Sequence, residues 1–208
     1  MRIGDRHNVK IEPLRFDDYE LKWQYQIKYL GIVILSARKF TINFQNVKQR
    51  YFRSLNGIFG KIGNKSSPVV LCSLINSYCT PILLYALETL CLSNKLINSI
   101  EIAYNQAFFK VFSTFDKDVV SQCQFYMGYL PLRTILDIRK LSFLTKIMSV
   151  EAQPIGCSIV DEEYVMLCNK YDIACNGRQS NSKYFAWKHF QNVMSTRILG
   201  ILSCIFLC

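Results

Sequence analysis

The sequence predicts a mainly α protein, with a small N-terminal β-hairpin followed by a helical bundle. Three observations carry that prediction. The stretch Ile27-Lys-Tyr-Leu-Gly-Ile-Val-Ile34 is rich in β-branched and aromatic residues, as a strand requires. From Phe44 onward, apolar residues recur every three or four positions. Half of the 208 residues are hydrophobic while Gly and Pro number only nine and five, which excludes disordered, linker-like and collagen-like chains.

Residues 1–34 read as short strands and turns, with one strand over Ile27–Ile34 and a basic turn at Ser36–Lys39. In the next segment Phe44, Val47, Tyr51, Leu55, Ile58 and Ile62, with Phe52 and Phe59, cover an arc of roughly 140° on a helix. Arg50, Arg53, Lys61, Gly57 and Gly60 fall on the opposite side. Lys48 lands inside the apolar arc and must carry its ammonium outward along its stem. Each mid-helix Gly costs about 1 kcal/mol against Ala. Two explanations stand side by side: a phosphodiester backbone approaches that face closely, or the helix kinks or ends near Gly57.

Pro68 suits the first turn of a further helix running to about Cys79 and breaking at Thr80-Pro81. Ile82–Leu92 is apolar nearly all round, which predicts burial. Asn94 is placed as the cap of a helix through about Phe112. Asp116–Pro131 is a connection holding one short helix, and Leu132–Val150 is a helix mixing apolar and basic faces. After Glu151 the periodicity weakens. The organisation expected is therefore 1–40, a β segment; 41–150, a helical region; and 151–208, a less patterned C-terminal segment.

The net charge is +10, from 25 Lys and Arg against 15 Asp and Glu. It is local. Leu21–Leu87 contains no acid and nine bases, namely Lys22, Lys28, Arg38, Lys39, Lys48, Arg50, Arg53, Lys61 and Lys65. A concentrated block of this kind suits phosphates, nucleic acid above all; the plainer reading is a solvated basic face. Nine cysteines include no Cys-x-x-Cys pair, and Cys168, Cys175 and His189 fit no standard zinc spacing. No metal or other cofactor is expected. The polar N-terminus carries no signal peptide pattern, so a reduced, nuclear or cytoplasmic setting follows. Ser66–Leu87 lacks charge over a length that could span a bilayer, but Asn76, Thr80, Pro81 and four serines favour a buried helix instead. The apolar tail Ile198–Cys208 is too short to span.

Catalytic groups are scarce. Asp17-Asp18 invites comparison with the aromatic-x-Asp-Asp motif of polymerases, where two metal ions bridge carboxylates and triphosphate. Arg15 replaces the aromatic, and the charged flanks predict a solvated loop. Asp161, Glu162 and Glu163 read as a solvated acidic run. No phosphate-binding Gly-Lys-Ser/Thr loop or nucleophile elbow appears, and His7 and His189 lack triad-like context, so the chain alone is read as non-catalytic.

Several stretches together resemble the C-terminal part of non-LTR (LINE-type) retrotransposon reverse transcriptases. Lys28-Tyr-Leu-Gly-Ile-Val33 is similar to the Lys-Tyr-Leu-Gly element after the palm, and Arg2-Ile-Gly-Asp-Arg6 to the segment just before it. Leu83-Leu-Tyr-Ala-Leu-Glu88 resembles the Leu-Tyr-Gly-x-Glu box, with Ala86 where the family often has Gly. Tyr104–Lys110 is similar to the following helix. Gly128-Tyr-Leu-Pro-Leu132, Leu136–Arg139 and Phe143-Leu144 resemble the family's final run. The matches cover residues 1–147; residues 151–208 match poorly.

The resemblance implies the end of a palm, a thumb and a connection, holding a template–primer of RNA or DNA. It implies a primer grip at Tyr29, Leu30 and Gly31, in a hairpin. Phe44–Ile62 becomes the thumb helix. Backbone contacts would come from Lys28, Arg38, Lys39, Lys48, Arg50, Arg53, Lys61 and Lys65. The family's catalytic aspartates precede the Lys-Tyr-Leu-Gly element, so the expectation is binding without catalysis, with palm and fingers as a missing partner segment. Against it stand a small helical membrane protein spanning residues 66–87, and an element remnant without function.

Overall fold

The computed structural model describes residues 1–62, 66–148, 157–173 and 185–195. The protein is mainly α, with a small antiparallel strand region at its N-terminus. It divides into two compact units, residues 1–52 and 53–208. The division falls within the first helix.

The N-terminal unit holds two small sheets. In the first, β1 (Leu14–Phe16) pairs antiparallel with β2 (Tyr19–Leu21), and Asp17-Asp18 is the two-residue turn between them. The expected loop is thus a hairpin tip, with Asp17 at φ 50°. The second sheet has the order β3 (Gln26–Tyr29), β4 (Ile32–Leu35), β5 (Thr41–Ile42). The strand read over Ile27–Ile34 is two strands, and they form the small β-hairpin expected at the N-terminal end of the chain. Leu30 and Gly31 both take positive φ, 46° and 84°, the primed geometry whose twist matches the flanking strands. Gly31 adopts it without strain; Leu30 does not. β-Branched enrichment marks both strands equally, so composition alone did not show the turn.

The expected amphipathic helix is present. Helix α1 (Gln45–Ile62) starts where Asn43 Oδ1 accepts from the Gln45 N–H at 3.0 Å, and it runs on through Gly57 without ending there. Phe44, Val47, Tyr51, Leu55 and Phe59 are buried; Phe52, Ile58 and Ile62 are half-buried.

In residues 53–208, α2 (Pro68–Leu74) begins at Ser67, whose hydroxyl accepts from the Val70 N–H. The break expected at Thr80-Pro81 does not occur. A π-helical stretch, Ile75–Cys79, widens the turn and passes into α3 (Thr80–Leu84). Proline has no N–H and its ring crowds the carbonyl four residues back. The wider turn relieves that crowding, and both the N–H and the hydroxyl of Thr80 donate to Ile75 O. The expected buried run Ile82–Leu92 is only partly so: Leu83, Leu84 and Leu87 are buried, Tyr85 is exposed, and the chain turns at Ala86 into a short 3-10 turn, Leu87–Thr89.

Helix α4 (Asn94–Phe112) is capped by Ser93, not Asn94: the Ser93 hydroxyl accepts from the Leu96 N–H. Ile100, Ala103, Tyr104, Ala107 and Phe108, at 3–4 spacing, form its buried stripe. Asp116 caps α5 (Lys117–Tyr126), and α6 (Leu132–Met148) follows. Two helices occur among the described residues after Glu151. Helix α7 (Cys157–Lys170) packs on α6, and α8 spans residues 185–195. Leu141, Leu144, Tyr164, Leu167, Cys168, Tyr171 and Ala186 make one apolar cluster there. Glu163 is not simply solvated, since it pairs with Lys140 at 3.2 Å. Among the described residues one stretch, Pro68–Thr89, is long and apolar enough to cross a membrane. Lys65, Cys175 and the tail Ile198–Cys208 lie outside the described residues.

Candidate nucleic-acid interface

Helical geometry places Arg50, Arg53, Gly57, Gly60 and Lys61 on the side of α1 opposite its buried stripe. All five are exposed. At 1.5 Å per residue the face from Arg50 to Lys61 is about 16 Å long. No acid occurs in α1, and none of these three cations has an ion-pair partner among the described residues. A Cβ added at Gly57 or Gly60 would meet nothing within 4 Å, so both positions look onto open space. Lys61 also sits in the last turn, where a cation favours the helix dipole. Lys48 is half-buried, as its place in the apolar arc requires.

The remaining candidates lie in residues 1–52. Lys28 on β3 stands opposite Val33, and Tyr29 opposite Ile32. Lys28, Tyr29, Leu30, Gly31 and Lys39 are exposed, Tyr29 by 64% and Leu30 by 71%. The tip of this hairpin therefore presents an aromatic ring and a leucine in a strained conformation, which persists only where the surroundings hold it. Arg38 differs from the others: its Nε donates to Asp5 Oδ1 at 2.5 Å in a fully exposed pair, so part of its charge is answered within the chain. Asp17 and Asp18 are exposed at their hairpin tip, and no group of three metal-ligating side chains occurs among the described residues.

Charge pairing separates the two halves of the sequence. Around α6 four cations are neutralised: Arg133 by Glu101, Arg139 by Glu88, Lys140 by Glu163 and, beside Asp137, Lys170. Arg50, Arg53 and Lys61 have no such partners among the described residues, and α1 itself holds no acid.

Stretches quoted for the reverse transcriptase resemblance meet inside residues 53–208. Glu88 and Arg139, distant in sequence, pair at 3.2 Å. The buried Tyr104 hydroxyl donates to Leu130 O at 3.2 Å. Lys110 donates to Asn56 Oδ1 at 3.3 Å and lies 4.4 Å from the centre of the Phe59 ring, tying α4 to α1. Ala86 takes φ 58°, the left-handed region that favours glycine. These residues thus hold the bundle together; sequence spacing alone could not show which stretch meets which.

The sequence reading missed a cleft of about 510 Å³ in residues 1–52, lined by Arg2, His7, Lys10, Trp23 and Tyr25 among others. Its signal was the interleaving of bases and aromatics in Lys22-Trp-Gln-Tyr25. Comparisons with protein-family models, with curated proteins and with solved structures return no match for this chain.

Proposed function

We propose that this chain is the end-of-palm, thumb and connection part of a non-LTR (LINE-type) reverse transcriptase, and that it holds a template–primer by the sugar–phosphate backbone. The observation that carries the reading is the exposed face of α1: three cations without an ion pair among the described residues, interleaved with two glycines that add no bulk. Phosphate contacts of this kind position a duplex without reading its bases. The glycines let a phosphodiester backbone approach the helix closely. The pairing of Glu88 with Arg139 and the left-handed Ala86 support the family reading, since both lie in stretches that resemble it and both give those stretches a structural reason. In the family the metal-binding aspartates precede the element matched by Lys28–Val33. The residues matched here do not include them, so backbone binding is the activity proposed for these residues.

The test is binding of an RNA–DNA hybrid over a range of salt. Arg50→Ala with Arg53→Ala should weaken binding and reduce the slope of log affinity against log salt by roughly 0.9 per contact. Unchanged affinity and slope in that double variant would sink the thumb-helix reading. The length and apolarity of Pro68–Thr89 favour a second reading, a membrane-spanning helix. Retention in the membrane fraction after carbonate extraction would favour that alternative.

A further inference from the structure

We infer a second ligand site in residues 1–52: the cleft lined by Arg2, His7, Lys10, Trp23 and Tyr25 takes one unpaired nucleotide. It shares its ligand class with the proposed function, but it rests on residues separate from α1. The volume of about 510 Å³ lies within the range of roughly 300–1,000 Å³ usual for small-molecule sites. No lining residue is acidic, while Arg2 and Lys10 are cationic, so the cleft attracts an anion.

Its aromatic side is held in place. The Trp23 Nε1–H donates to Glu12 O at 3.0 Å, and the Arg2 guanidinium lies 5.3 Å from the centre of the Trp23 ring. Tyr25 is anchored by its backbone, its carbonyl accepting from the Ser36 N–H at 2.7 Å, while the side chain is 85% exposed. Its ring thus has a face available for stacking. Arg2 Nη2 donates to the carbonyls of His7 and Val9. Arg2 Nη1 is buried and has no hydrogen-bond partner among the described residues. A buried donor without a partner is costly, and the guanidinium it belongs to also lines the cleft, where its charge draws an anionic oxygen. A ligand that uses all these features carries a flat π surface and an anionic oxygen, which a nucleotide combines. Stacking tolerates any base, so the site holds a nucleotide without strong sequence preference.

The nucleotide could come from a single strand or from solution. The full chain is titrated with oligouridylate, with an abasic oligomer of equal length and with UMP, following tryptophan fluorescence. Trp23→Phe assigns the signal. Oligouridylate should quench saturably, the abasic oligomer should not, and the quench should vanish in Trp23→Phe. Tyr25→Ala should weaken oligouridylate binding by roughly fivefold to a hundredfold, as expected for loss of one stacked base, with an unchanged salt slope. Lys10→Ala should lower that slope by about 0.7. Circular dichroism checks that both variants fold. UMP binding as tightly as the oligomer assigns the cleft to a free nucleotide; much weaker UMP binding assigns it to a strand.

Equal binding of abasic and uridylate oligomers overturns the proposal. So does parental affinity in Tyr25→Ala. A Tyr25→Ala defect that only accompanies loss of a dimer in sedimentation also overturns it, since the face would then be a self-association surface. If Arg50→Ala with Arg53→Ala leaves hybrid binding intact while Trp23 is still quenched, the thumb-helix reading fails and this one stands.

Discussion

Ala86 holds φ 58° and ψ 11°, between the exposed Tyr85 and the buried Leu87. For a residue with a Cβ that conformation costs about 1–2 kcal/mol. Glycine removes the cost but returns part of it, roughly 0.5–1 kcal/mol, through the entropy of the unfolded chain. Ala86→Gly should therefore stabilise the fold by about 0.5 kcal/mol, read as a higher urea midpoint; a lower midpoint would mean that the methyl group packs. Ala86 is also where the resembled family often has glycine, and the left-handed angle is one that glycine adopts without strain. Two residues on, Glu88 offers Oε1 to Arg139 while its Oε2 is buried without a hydrogen-bond partner among the described residues. Two charges from separate matched stretches are thus coupled in one interaction. That pairing was not legible in the sequence, where Glu88 and Arg139 stand in different motifs with nothing to connect them.

At the scale of the element, α1 was the most legible feature. Its apolar spacing is long and regular, and a helix longer than four turns outweighs two glycines. The expected contrast between a kink and a close approach can be measured. Gly57→Ala and Gly60→Ala add methyl groups that meet nothing, so together they should raise stability by up to about 2 kcal/mol. If a nucleic-acid backbone lies against that face, the same double variant should bind hybrid duplex more weakly although it is more stable. Higher stability with unchanged affinity would leave the glycines without a binding role. Elsewhere, element type was harder to read. Ile27–Ile34 carried the composition of a strand but not the turn within it, because Leu30 is not a residue that signals positive φ. Pro81 signalled a break, yet the chain absorbed it in a π turn that Thr80 completes through two donations to Ile75 O. The helices after residue 151 were missed because their apolar residues serve a cluster shared with α6 rather than one clean stripe.

Across the molecule, charge and burial are distributed differently. Residues 53–208 concentrate groups that resist losing a proton. Burial, and then the nearby Cys123, pushes the Cys72 thiol up to about 11 from an ordinary 9.0. Burial also raises Cys79, against the hydrogen bond with Ser54 that lowers it. Tyr104 and Tyr171 are pushed well above the ordinary tyrosine value, first by burial and then by Cys72 and by the hydrogen bond to Asp137 respectively. The unfolded chain releases these protons earlier than the folded one. Stability should be intact below about pH 9 and fall as pH rises from 9 toward 11, with the tyrosines extending the fall beyond. Urea midpoints measured from neutral pH upward check this, and a flat midpoint through pH 11 would contradict it. The exposed Arg38–Asp5 pair adds little to stability, since exposed pairs contribute about 0–1 kcal/mol each; the four pairs around α6 are partly buried. Those four answer cations around α6, whereas Arg50, Arg53 and Lys61 on α1 have no ion pair among the described residues.

The sequence by itself determined the mainly α character, the amphipathic α1 with its exposed cations, and the concentration of the net positive charge in Leu21–Leu87. All three follow from periodicity and composition, which act over short stretches of chain. Tertiary structure alone decided that Glu88 meets Arg139, that Tyr104 donates to Leu130 O, and that Arg2, Lys10, Trp23 and Tyr25 enclose one cleft. Such pairings depend on which distant segments the packed core brings within hydrogen-bonding reach, and no local pattern encodes that distance.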